Sequence, residues 1–168
     1  MEQIRDTFVE WLRDAHAAEK QALTMLGSQA GRIENYPALK ARIEQHIQET
    51  ESQVAALEGL LERYSTGSSM IKDATGRMMA FAQGMSGMTA SDEVVKGGLF
   101  SYSFEHMEIA SYQILIATAR RLGDTEAVSV LERIFDQEVD MANWLQDNMD
   151  SVVNEYLTRL EQNVEAKR

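Results

Sequence analysis

Only Pro37 interrupts the 168 residues as proline. Proline removes a backbone donor and breaks helix interiors, so a chain with one of them is free to run long helices. The apolar residues then have to show the helical period. From about Glu2 to Ala30, Ile4, Phe8, Trp11, Leu12, Ala15, Ala22 and Leu26 recur at three- and four-residue steps, one face of a helix. Gly27, Gly31 and Asn35 mark its ending and a turn. Pro37 suits the first turn of a second helix, whose stripe of Leu39, Ile43, Ile47, Val54, Leu57 and Leu61 reaches about Tyr64.

Residues 65–91 break the pattern, with four glycines and five of the ten methionines. They read as a connection containing a short helix around Met70 to Gln83. A third helix starts after Ser91 as cap, with Asp92 and Glu93 in its first turn. Its stripe is Val95, Leu99, Tyr102, Ile109, Tyr112, Leu115, Ile116 and Ala119, and Gly123 closes it behind Arg120 and Arg121. Asp124 caps a fourth helix carrying Val128, Leu131, Ile134, Phe135, Ala142, Leu145 and Met149. A short fifth helix holds Val152, Val153, Tyr156 and Leu160, before a frayed charged tail, Glu165 to Arg168.

These elements predict one all-α domain over residues 1–168. The short links make two antiparallel helical hairpins, and the long middle link carries the chain from one end of the bundle to the other. One long crossover between two hairpins is the ferritin-like four-helix arrangement. A net charge of −11 argues against nucleic acid or an anionic membrane as partner. The chain has no cysteine, which excludes disulfides and thiolate ligands. No apolar run approaches the length of a membrane span, and the first residues lack the pattern of a signal peptide, so the expected location is cytoplasmic.

The gaps in the apolar stripes are acidic. Glu19 continues the row from Ala15 to Ala22. His46, Glu49 and Gln53 lie between Ile43 and Leu57. Glu105 and Glu108 flank one face of the third helix, and Glu138 lies between Ile134 and Ala142. Glu19 and Glu49 are 30 residues apart, as are Glu108 and Glu138. Two similar hairpins packed about a pseudo-two-fold axis would gather these four carboxylates at mid-bundle. One Glu on a stripe ordinarily sits at the seam's edge with its head in water. One per helix in a repeated register points instead to a site. Burying like charges costs several kcal/mol each, and no Lys or Arg is placed on these faces to offset them, whereas divalent cations would. Hard oxygen donors with an imidazole suit two metal ions, iron or manganese. His16, three residues before Glu19, is a candidate ligand or neighbour of the ligands. Tyr112 either bonds a ligand or packs as a core aromatic, and His106 faces the surface.

Three segments carry a resemblance: Asp14 to Gln21, His46 to Gln53 and Glu105 to Tyr112. They resemble the YciE/YciF family of ferritin-like bacterial stress proteins. Tyr36 to His46 and Val164 to Arg168 are most similar to its YciE branch. The resemblance implies a rubrerythrin-like core, a homodimer, expression under stress, and a di-iron or di-manganese centre with Glu49 and Glu138 as bridging ligands. It also implies an oxidoreductase acting on Fe(II) with dioxygen, or on hydrogen peroxide. The alternative is a dimeric stress protein that sequesters metal without turnover. The chain departs from the wider ferritin-like pattern, which has a His three residues after the Glu of the second and fourth helices. Here Ser52 and Met141 occupy those positions, and the second helix has His46 three residues before Glu49.

Overall fold

The computed structural model describes residues 1–64 and 90–168. Four helices fill them: α1 (Glu2–Arg32), α2 (Pro37–Tyr64), α3 (Glu93–Leu122) and α4 (Thr125–Glu161). The expected connecting helix, Met70 to Gln83, lies outside the described residues. Pro37 opens α2 as its missing N–H permits. Gly123 closes α3 in the left-handed conformation at φ 74°, and Asp124 caps α4 by accepting the Ala127 N–H at 2.9 Å.

Several boundaries differ from the expectation. α1 passes through Gly27 and Gly31 and stops only where Ile33 turns extended, because a helical glycine weakens a helix without ending it. Trp11 is 40% exposed rather than on the core face. Asp92, not Ser91, is the residue before α3, and it pairs with Lys96 at 2.8 Å. The fifth helix is the continuation of α4, since neither Gly nor Pro follows Met149 to break it.

The tail is docked rather than frayed. Tyr36 donates to the Ala166 carbonyl at 2.5 Å, and Asn35 donates to that of Arg168 at 2.7 Å. The Val94 N–H, one of the first-turn donors a helix cannot satisfy itself, goes to the Lys167 carbonyl at 3.0 Å.

End-to-end contacts fix the topology. Arg5 near the start of α1 bonds the Tyr64 carbonyl at the end of α2, and the Tyr64 hydroxyl bonds Asp124 before α4. At the other end Arg32 pairs with Glu93. α2 and α3 therefore run the same way, and Tyr64 and Glu93 lie at opposite ends, about 40 Å apart for helices of this length. α1 packs on α2 and α3, and α4 packs on α3 and α2.

The interior has three layers. One apolar cluster joins Phe8, Leu12, Leu57, Leu115, Leu131 and Ile134. A second joins Leu26, Tyr36, Ile43, Phe104, Met141 and Leu145. Between them in all four helices lie Glu19, His46, Thr50, Gln53, Glu105, Glu108 and Glu138, each buried.

Candidate metal centre

Each helix aims its polar residue inward for the same reason: it sits at a core position of an otherwise apolar row. In α1 the buried row runs Leu12, Ala15, Glu19, Ala22, Leu26. In α4 it runs Leu131, Ile134, Glu138, Met141, Leu145. α3 contributes two residues, Glu105 and Glu108, both buried. α2 contributes His46 and Gln53, separated by Thr50, whose hydroxyl donates to the His46 carbonyl at 2.9 Å.

The His46 Nε2 stands 3.3 Å from Glu105 Oε2 and 3.5 Å from Glu138 Oε2. Gln53 donates through Nε2 to Glu138 Oε1 at 2.5 Å and to Gln137 Oε1 at 3.1 Å. Tyr112, itself buried, donates its hydroxyl to Glu19 Oε1. Among the described residues, Glu19 Oε2, Gln53 Oε1 and Glu108 Oε1 have no hydrogen-bond partner, and Glu105 Oε2 and Glu138 Oε2 have no close one beyond the shared, long approach of His46 Nε2. Buried carboxylate oxygens without donors are costly, and a cation is the partner that repays them.

The electrostatics follow from burial. It pushes Glu19 up to about 8, helped by Glu138 and opposed by Tyr112 and His46. It pushes Glu138 up to about 7 against the pull of His46. Burial, with Glu19, Glu138 and Glu105 around it, holds Glu108 well above the usual carboxylate range. Burial alone would lower His46, but the carboxylates of Glu105, Glu138 and Glu49 outweigh it and raise the imidazolium to about 12.

Among the described residues, two sets of three bring donor atoms within 4.8 Å of one another: His46, Glu105 and Glu138, and Glu19, Glu108 and Glu138. Glu138 belongs to both. The donors are hard carboxylate oxygens with one imidazole nitrogen, a set that fits iron or manganese.

The remaining expected residues lie elsewhere. Glu49 is at the edge of the bundle, not mid-layer. Its Oε2 is 2.9 Å from His46 Nδ1 and 3.1 Å from an Arg42 nitrogen, and its Oε1 accepts from Gln45 at 2.8 Å. Burial opposes its charge, but His46, Gln45 and Arg42 together hold it down to about 2. Arg42 is 8% exposed, so a cation does stand on this face, contrary to the expectation of none. It was legible as the residue seven before Glu49, two turns along the same face. His16 faces away from the layer and meets Glu58 at 3.1 Å. His106 is exposed, as expected, and its ring lies edge-on to Tyr102 at 4.5 Å. Thr50 and Gln137 carried no sequence signal beyond their spacing from His46 and Glu138.

Over residues 3–158 the chain matches the family described as Domain of unknown function (DUF892). It belongs to that family. Protein YciF of Escherichia coli K12 is 29% identical over 144 residues, covering 82% of this chain and 85% of YciF. The solved structure of that E. coli stress protein superposes with a TM-score of 0.79 at 26% identity, over 92% of this chain and 99% of the other. A solved Xanthomonas campestris pv. campestris protein is 41% identical with a TM-score of 0.77, over 94% of this chain and 99% of its own. Among the described residues of this DUF892 member, no helix is long and apolar enough to cross a membrane.

Proposed function

We propose that the chain is a ferritin-like di-metal protein of the YciE branch, a cytoplasmic stress protein that holds two iron or manganese ions. Glu19, Glu108 and Glu138 would hold one, and His46, Glu105 and Glu138 the other. The observation that carries this reading is the shared carboxylate: Glu138 stands in both sets, as a ligand between two adjacent ions must. When bound, a redox-active pair would supply the electrons for reducing dioxygen or hydrogen peroxide, with Fe(II) as the substrate oxidised. The chain's own residues prepare the place: Tyr112 holds Glu19, Gln53 holds Glu138, and the apolar clusters above and below exclude bulk water.

Metal analysis of protein purified without chelator, with anaerobic Fe(II) titration of stripped protein, tests the reading. Near two ions per chain, falling to near zero in Glu138→Ala, supports it. Stripped protein that takes up neither Fe(II) nor Mn(II) overturns it. A second reading, sequestration without turnover, is favoured by the burial of the layer, since Glu138 is 0% exposed. Oxidant consumption by Fe(II)-loaded protein separates the two.

The reading includes a homodimer, and the outer face of α3 supports it. Between Lys96 and Arg120 the only charged residues of α3 are Glu105 and Glu108, and both are buried. Leu99 and Ile114 on that helix are 61% and 52% exposed. Two copies each carrying −11 meet with least repulsion on a charge-free face.

A further inference from the structure

We infer that Glu49 is a positioning residue for the His46 ring rather than a metal ligand, and that Arg42 and Gln45 hold it in that role; this rests on the di-metal reading above for its purpose, though not for its geometry. The two ring nitrogens of His46 face different neighbours. Nδ1 meets Glu49 Oε2 at 2.9 Å on the rim, and Nε2 meets Glu105 and Glu138 in the layer. A neutral imidazole that gives its Nδ1–H to a carboxylate presents the Nε2 lone pair on the other side. That arrangement fixes both the tautomer and the ring plane of a ligating histidine.

Glu49 is itself held at both oxygens. Oε2 meets Arg42 at 3.1 Å and Oε1 accepts from Gln45 at 2.8 Å. Both partners lie on α2, at seven and four residues before Glu49, so one rigid helix carries the whole device. The Arg42 guanidinium is almost fully buried, and its contact holds the Glu49 carboxylate aimed at Nδ1. To ligate an ion in the layer, Glu49 would have to leave Arg42, Gln45 and Nδ1 together. The rest of α2 supports the same placement: Thr50 and Gln53 are the residues after His46 that turn inward, while Glu49 keeps partial exposure.

Two measurements on Glu49→Ala and Glu49→Gln test this. The first is the orientation of the His46 ring in metal-free protein, by crystal structure or by NMR contacts of the ring protons. One orientation is expected in the parent and in Glu49→Gln, which retains an acceptor for Nδ1–H, and loss of that single orientation is expected in Glu49→Ala. The second is affinity for Mn(II), and for Zn(II) as a diamagnetic probe. Glu49→Ala is expected to bind 10- to 100-fold more weakly, with Glu49→Gln recovering most of the loss and ring ¹⁵N shifts placing Zn(II) on Nε2. A ring that stays fixed in Glu49→Ala overturns the inference, as does a Glu49→Gln variant that loses as much affinity as Glu49→Ala. A parent that binds no ion but loses ring order in Glu49→Ala upholds the positioning role and sinks the di-metal reading alone.

Discussion

The Tyr112 hydroxyl donates to Oε1 of Glu19, joining α3 to α1 inside the buried polar layer. Among the described residues Glu19 has no other hydrogen-bond partner, since its Oε2 is unpaired. In Tyr112→Phe both oxygens are orphaned, and the variant should lose about 1–3 kcal/mol in urea unfolding of the metal-free protein. Because the hydrogen bond lowers the Glu19 pKa, its loss should also move the carboxyl titration above the present value of about 8. A carboxyl ¹³C titration reads that shift. An unchanged titration would mean the hydroxyl does not bond Glu19 in solution.

The stability of the metal-free protein should fall as pH rises from 5 to 8. Glu19 and Glu138 ionise at about 8 and about 7 when folded, both above the ordinary 4.5 of the unfolded chain. The folded state therefore binds more protons across that window, and stability declines with pH. His46, raised to about 12, adds a further loss only above about 6.5. Glu49, held down to about 2, acts in the opposite sense, and its contribution fades as pH falls from 4.5 towards 2. Thermal melts should thus peak near pH 5. Saturating Mn(II) should reverse the slope between 5 and 8, because ions displace those protons. A metal-free optimum above pH 7 would contradict the buried, proton-holding layer.

Asp124 ties the end of α2 to the start of α4. It accepts from Ala127 N–H at 2.9 Å, from the Tyr64 hydroxyl at 2.5 Å and from Arg63 at 2.7 Å. Asp124→Ala should cost about 1–2 kcal/mol as a lost cap. Its carboxyl is held below the ordinary range: burial works against this, and Ala127, Tyr64 and Arg63 overcome it. The folded pKa is depressed, so the ionised carboxylate's extra contribution is present above about pH 4 and declines as pH falls through the folded pKa. The gap between parent and variant in urea midpoints should narrow progressively as pH falls below about 4.

Most of the fold was legible because helices announce themselves through a period. The starts at Pro37 and Asp124 and the stop at Gly123 follow from local chemistry that needs no distant partner. The misplaced ends share a cause. Gly31 and Ser91 carry signals of termination and capping that are only weak preferences, and packing by Ile33 and Val94 overrides them. The docked tail was invisible because its partners, Tyr36 and Val94, are far away in sequence. In the site, Glu19, Glu105, Glu108 and Glu138 were legible as acids on apolar rows. Glu49 was misplaced because the repeat of 30 residues treats α2 as a copy of α4. Arg42, two turns earlier, draws Glu49 to the rim and leaves Gln53 to meet Glu138.

The docked tail predicts a local effect. Deleting residues 165–168 removes the acceptors of Tyr36, Asn35 and the Val94 N–H. Stability should drop by about 1–3 kcal/mol, and amide exchange at Val94 should accelerate strongly while that of Leu131, in the far apolar cluster, accelerates no more than the global loss dictates. Unchanged protection at Val94 would mean the tail does not close that end.

The α3 face predicts an assembly. Leu99→Glu with Ile114→Glu places charge on a face that has none exposed between Lys96 and Arg120. Sedimentation should show the parent as a dimer and the double variant as a monomer with the same helical content. A dimer unaffected by both changes would move the contact to another face.

Glu138 alone stands in both donor sets, while Glu19, His46, Glu105 and Glu108 each stand in one. The five residues are therefore unequal targets for mutation. A missense change at any of the other four leaves one set of three intact, and on the di-metal reading a lineage that would still hold a single ion. A change at position 138 breaks both sets at once, so on that reading a single codon would decide whether the bundle keeps the capacity or becomes a plain helical scaffold.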